Sequence, residues 1–180
     1  MIGRRAWRFW LPALMVATHA TAGPIPSPDD AGPRAAMVRH VVMGILSYTR
    51  WPVQPEPVRL CITGQPAYAS GLFDAPARQS EPAVQPRLVA ADDPALARDC
   101  DALYLGGMDD ELQQQVLRRV VGHPVVSIVE DDAECAVGGM FCLDVRPGQV
   151  GFQINLDSVA RSGVHIHPSV LQLSRRRLSP

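Results

Sequence analysis

Four cysteines, Cys61, Cys100, Cys135 and Cys142, and the pair His165-x-His167 are the residues of this 180-residue chain whose types and spacing could do chemistry. Thiols can form disulfides, hold a metal or act as nucleophiles. The cysteine spacings of 39, 35 and 7 lack the close Cys-x-x-Cys pairs that zinc sites use, so no metal centre is expected. His165 and His167 fall on the same side of an extended segment and could bind an anionic small molecule or a metal. Neither a carboxylate nor a third imidazole lies nearby in sequence, and an exposed pair is the expectation. Acidic runs at 29–30, 92–93, 109–111 and 130–134 come without the His or paired carboxylate of an acid–base motif, and read as solvated loops and helix starts.

The familiar catalytic frameworks do not assemble around these residues. Gly106-Gly107 follows a strand-like run, but the Gly-x-Gly-x-x-Gly spacing is missing, and Asp109, Asp110 and Glu111 would repel an anion at the next helix start. No Gly-x-Ser-x-Gly elbow is present. All 17 basic residues are Arg, which excludes a Walker A lysine, a Schiff-base lysine and any lysine general base. The formal net charge of -1 and 19% charged content argue against nucleic-acid binding, which draws on clustered cations. The expectation is a non-enzyme without a cofactor.

Residues 1–22 read as a cleavable secretory signal: Arg4, Arg5 and Arg8, an apolar stretch broken by Pro12, then Ala20-Thr21-Ala22. Its removal leaves 14 basic against 18 acidic residues, a mildly acidic exported product. Export places all four cysteines where disulfides persist, so two bridges are expected, with three connectivities open.

Stepping along the rest of the chain, Pro24, Pro26, Pro28 and Pro33 mark residues 23–33 as an extended mobile leader. Val38, Val41, Val42, Ile45 and Tyr48 share one face of a helix over Arg34–Thr49, stopped by Trp51-Pro52, with Trp51 as a core or helix-end anchor. Val58–Ile62 alternates as a strand, Ala67–Phe73 suits a short helix, Gln85–Val89 a second strand, and Asp93-Pro94 a capped helix start. The clearest unit is strand Ala102–Leu105, helix Asp109–Val121 and strand Val125–Val129, whose crossover length implies a parallel pair. Cys135–Leu143 is too short for another crossover and reads as a glycine-rich hairpin or loop. Val150–Ile154 is a last strand before helix Ser158–Ser162, and the tail ends in Arg175-Arg176-Arg177, a solvated terminus. At 47% apolar residues, the whole predicts one α/β domain over 34–175, a mainly parallel central sheet flanked by helices, with two intrachain disulfides.

Several small signatures occur in an order that resembles the YfiR family of periplasmic regulators. They are Trp51-Pro52, Cys61-x-x-Gly64, Cys100-Asp101-Ala102-Leu103-Tyr104-Leu105-Gly106, Gly138-Gly139-Met140-Phe141, Phe152-Gln153-Ile154-Asn155-Leu156 and Arg161-Ser162-Gly163. The resemblance implies a periplasmic homodimer that binds the periplasmic portion of an inner-membrane diguanylate cyclase and represses cyclic-di-GMP synthesis. Relief would come from disulfide reduction or from capture by an outer-membrane lipoprotein. It also implies the pairs Cys61–Cys100 and Cys135–Cys142, the pairing that joins chain neighbours. On that footing, a clasped loop would display Met140 and Phe141 to the partner, with Phe152 and Gln153 extending the surface; the alternative is that Met140 and Phe141 are core residues of a hairpin. His165, His167 and Pro168 depart from the usual family tail; a small-molecule binding module for a nucleotide or aromatic metabolite, using the two histidines, is the alternative expectation.

Overall fold

The computed structural model describes residues 31–74, 82–136 and 138–173. The expected signal, most of the leader and the arginine-rich end lie outside these residues. Helix α1, Ala31–Ser47, starts three residues before the expected Arg34. Pro33 falls in its first turn, where a backbone N–H has no intrahelical acceptor and its loss costs nothing. Ala35, Val38, Val41, Val42, Ile45 and Leu46 bury one stripe. At the other end, Ser47 Oγ and Thr49 Oγ1 donate to the carbonyls of Gly44 and Ile45, at 2.7 and 2.9 Å, satisfying groups the helix leaves open.

Among the described residues, seven further strands and four further helices follow a two-residue strand β1, Thr49–Arg50. They are β2 Val58–Gly64, α2 Ser70–Phe73, β3 Val84–Leu88, α3 Leu96–Asp99, β4 Ala102–Gly106, α4 Asp110–Val120, β5 Val126–Val129, β6 Phe141–Arg146, β7 Gln149–Ile154, α5 Leu156–Ser162 and β8 His165–Ile166, then a 3-10 turn at Pro168–Gln172. The six-stranded sheet runs β3-β2-β4-β5-β6-β7, parallel throughout except for the β6–β7 hairpin. β1 and β8 form a separate antiparallel ribbon. The predicted mainly parallel α/β sheet with flanking helices is therefore present.

Alternation along the strands divides the core. Leu60, Ile62, Ala102, Tyr104, Val126 and Ile128 pack toward α1. Cys61, Leu103, Leu105 and Val129 pack toward α3 and α4. Central strands buried on both faces read as continuous apolar runs, which is why β4 and β5 were evident in the sequence. Pro86 sits in β3 opposite Leu60, at the sheet edge where a missing donor is tolerated. Asp109 caps α4 by accepting the Leu112 N–H at 2.8 Å, and Asn155 caps α5 through Ser158 N–H at 3.0 Å.

The segment after β5 departs from expectation. Instead of a hairpin within Cys135–Leu143, Phe141 starts a strand parallel to β5, reached by a link without a helix. The register explains how so short a crossover closes: only Ile128↔Phe141 and Val129↔Cys142 pair, so the chain returns about two residues before β6 continues past the end of β5. The hairpin lies one element later, where Pro147-Gly148 joins Arg146 to Gln149, with Gly148 at φ +72°.

Gly107, after β4, has φ +61°, and a Cβ there would run into the backbone carbonyl of Gln65. Both constraints act on Gly107→Ala, for which the expected loss is roughly 2–3 kcal/mol, read as a lowered urea midpoint.

Candidate functional site

The C-terminal edge of a parallel sheet is where α/β folds gather ligands and polar groups. In this chain that edge carries a knot around Glu130, the first residue after β5. Its backbone N–H donates to Leu105 O at 2.8 Å, and its carboxylate accepts the N–H groups of Ala67 and Tyr68 and the hydroxyl of Tyr104. Ala67–Ala69 form a turn ahead of α2, so the expected Ala67–Phe73 helix begins late because its first two N–H groups face this carboxylate.

Glu130 is only 7% exposed, and that burial pushes its carboxyl above the usual range even though three donors favour the ionised form. Tyr104 is fully buried. Burial, and then the neighbouring Glu130, push its phenol upward, so it stays a proton donor. With every partner internal, the knot ties the loop after β5 to β4 and the α2 turn.

The loop that follows is stitched at several points. Asp132 N–H donates to Leu143 O (2.9 Å), Cys135 N–H to Asp132 O (3.1 Å), and Ala136 N–H to Asp132 Oδ1 (3.2 Å). Ser158 Oγ donates to Gly138 O (3.0 Å), and Gln153 Nε2 reaches the carbonyl of Ala133. Asp131 and Cys135 both take left-handed backbone, φ 55° and 53°, which a non-glycine residue holds only when its surroundings enforce it. The Cys135–Cys142 disulfide closes the loop base, with Cα atoms 5.2 Å apart.

Met140 and Phe141 are not displayed. Met140 is 4% exposed and Phe141 fully buried, because the parallel start of β6 turns both into the core. Met140 N–H donates to Ser127 Oγ at 2.9 Å, and Phe141 meets Phe152 edge to face with centroids 5.6 Å apart. Phe152 is half-buried and Gln153 exposed on β7. Of the four residues expected at a partner surface, these two are the ones that are not buried.

Glu130 through Glu134, with Asp110 and Met108, rim a cleft beside this loop. Its negative charge disfavours phosphate and carboxylate ligands. The other expected ligand residues lie elsewhere. His165, exposed in β8, pairs with Arg50. His167 stacks on Tyr48 with centroids 6.1 Å apart, and its Nδ1 accepts the Ser169 N–H at 3.2 Å. That bond caps the 3-10 turn, so His167 has a structural task that its sequence neighbours did not reveal.

The second disulfide, Cys61–Cys100, lies on the α3/α4 side of the sheet with S–S 2.03 Å and Cα atoms 5.7 Å apart. Cys61 is fully buried and Cys100 3% exposed. Next to it, Asp101 accepts the Arg59 N–H and both arms of the Arg59 guanidinium at 2.8–2.9 Å. The hydrogen bond to Asp101 is the main reason the Arg59 guanidinium is held above its usual range. Trp51, 7% exposed, donates Nε1–H to Asp101 O at 3.0 Å, which makes it the anchor expected after α1. Asp101 stands in the sequence within the Cys100–Gly106 signature, which gave it no role of its own.

Among the described residues, no helix is long and apolar enough to cross a membrane. Residues 35–175, a span that takes in both disulfides, the Glu130 knot and the clasped loop, match the model of the YfiR/HmsC-like family. The chain belongs to the YfiR/HmsC-like family.

Proposed function

We propose that this protein is a periplasmic, non-enzymatic regulator that binds the periplasmic sensor portion of an inner-membrane diguanylate cyclase and represses it. The observation that carries the reading is the family match over residues 35–175, which encloses the fold and both disulfides. The Glu130 knot supports a non-catalytic role, since its carboxylate and phenol are engaged with one another and with backbone. The working form is a homodimer, exported by its N-terminal signal, and an outer-membrane lipoprotein relieves repression by capturing it.

Phe152, Gln153 and the acidic outer side of the clasped loop make the docking surface. Met140 and Phe141 act from beneath it, as the buried footing that holds the loop in one conformation. A rigid surface loses less conformational entropy on docking than a loose one. Opening the Cys135–Cys142 clasp frees the loop and lowers affinity for the cyclase.

Deleting the gene in its host is expected to raise cellular cyclic-di-GMP, and the wild-type gene to restore it. Complementation with Cys135→Ser restores repression only in part. No rise on deletion removes the repressor reading, and full repression by Cys135→Ser removes the role given to the clasp.

A further inference from the structure

The clasp brings a third donor beside its two sulfurs. One carboxylate oxygen of Asp132 and the Sγ atoms of Cys135 and Cys142 all lie within 4.8 Å of one another. Asp132 Oδ1 takes the Ala136 N–H, whereas Oδ2 is buried and has no hydrogen-bond partner among the described residues. A buried carboxylate oxygen without a donor is unfavourable, and no donor among the described residues offsets it. Gly139 O lies 3.9 Å from Cys135 Sγ and 3.8 Å from Cys142 Sγ, on the same small site. Asp131 and Glu134, which line the same cleft as Asp132, add negative potential beside it.

We propose that reduction of Cys135–Cys142 uncovers a binding site for a zinc-class divalent cation, held by Asp132 and the two cysteine sulfurs. While the disulfide is intact, neither sulfur is a thiolate, so the ligand set is latent. A dithiol reductant supplies two electrons and two protons: the Cys135–Cys142 S–S bond breaks, two S–H bonds form, and the reductant leaves as its own disulfide. Metal binding then releases the two thiol protons to solvent as two metal–sulfur bonds form.

The geometry suits this exchange. Tetrahedral zinc, with Zn–S of about 2.3 Å and Zn–O of about 2.0–2.2 Å, needs donors roughly 3.5–3.8 Å apart. Two sulfurs reach that separation by relaxing from a covalent bond to van der Waals contact, a shift that side-chain rotation supplies. The Asp132 carboxylate is already fixed by the loop's backbone bonds, and the Gly139 carbonyl or a water completes four ligands. Reduction would therefore exchange one closure of the loop for another, instead of leaving it open.

Cobalt(II) tests this, because thiolate–cobalt charge transfer and tetrahedral visible bands report the ligands directly. The full chain is reduced with a phosphine, which avoids competing thiols, and titrated anaerobically with cobalt chloride. One equivalent is expected to give both signals, and zinc to displace it. The oxidised protein gives neither. Asp132→Asn weakens cobalt binding at least about tenfold, while the Cys135→Ser/Cys142→Ser double variant, which retains the buried Cys61–Cys100 bridge, loses the charge-transfer band. Circular dichroism shows whether each reduced sample keeps its fold. No tetrahedral spectrum in reduced wild type, an unchanged spectrum in the double variant, or unchanged affinity in Asp132→Asn overturns the assignment; the last would mean thiols binding without the folded loop.

Discussion

Replacing Cys61 and Cys100 together by Ala is expected to lower the stability of the domain by about 4 kcal/mol, the loop-entropy value for a bridge spanning 39 residues. For a domain of this size that corresponds to a fall in Tm of roughly 10–15 °C. The effect should be global. Cys61 is fully buried in β2, and Cys100 opens the approach to β4, so the bridge staples two central strands on the face where α3 and α4 pack. The corresponding change at Cys135 and Cys142 closes only a seven-residue separation, worth about 2.5 kcal/mol on the same basis, and acts on a loop. Thermal melts followed by far-UV circular dichroism, with the two double variants side by side, check this. Equal losses from both would show that the central staple has no special weight.

Glu130→Leu is the second large effect. It leaves the N–H groups of Ala67 and Tyr68 and the Tyr104 hydroxyl facing an apolar side chain; the hydroxyl is buried and the two N–H groups are partly so. At about 1–3 kcal/mol for the buried hydroxyl, and less for two N–H groups that water can partly reach, the expected loss is roughly 2–4 kcal/mol in urea unfolding. Glu130→Gln keeps an acceptor and isolates the charge. Burial raises the folded-state pKa of Glu130 above its unfolded value. The contribution to stability is therefore fully present below the ordinary glutamate pKa of about 4.3 and is lost as pH rises through the raised one. Wild type should lose stability relative to Glu130→Gln as pH rises across that window. Parallel curves for the two proteins would show that the carboxyl does not carry this linkage.

How far the fold could be read from the chain depended on how local the signal was. β4, α4 and β5 announced themselves because apolar runs, an Asp cap and flanking glycines sit within a few residues of what they determine. The parallel entry of β6 did not, because pairing Phe141 with Ile128 is a choice made by the sheet, and the glycines at 138 and 139 suit a turn equally well. For the same reason Met140 and Phe141 read equally as displayed or as core, and the core reading holds. The four cysteines were legible as residues that matter, but their neighbours were not: Asp132, a local turn away from Cys135, was one carboxylate of an acidic run, and Asp101 is brought beside Trp51 and Arg59 by tertiary contacts. Glu130 was hidden in an acidic run, and only burial separates it from Asp131 and Glu134.

The offset pairing of β6 has a mechanical consequence. Five residue pairs join β2 to each of its neighbours, but only two join β5 to β6, so the sheet has a seam there. Local opening is expected to start along that line, with the β6–β7 hairpin, held together by six residue pairs, moving as a unit.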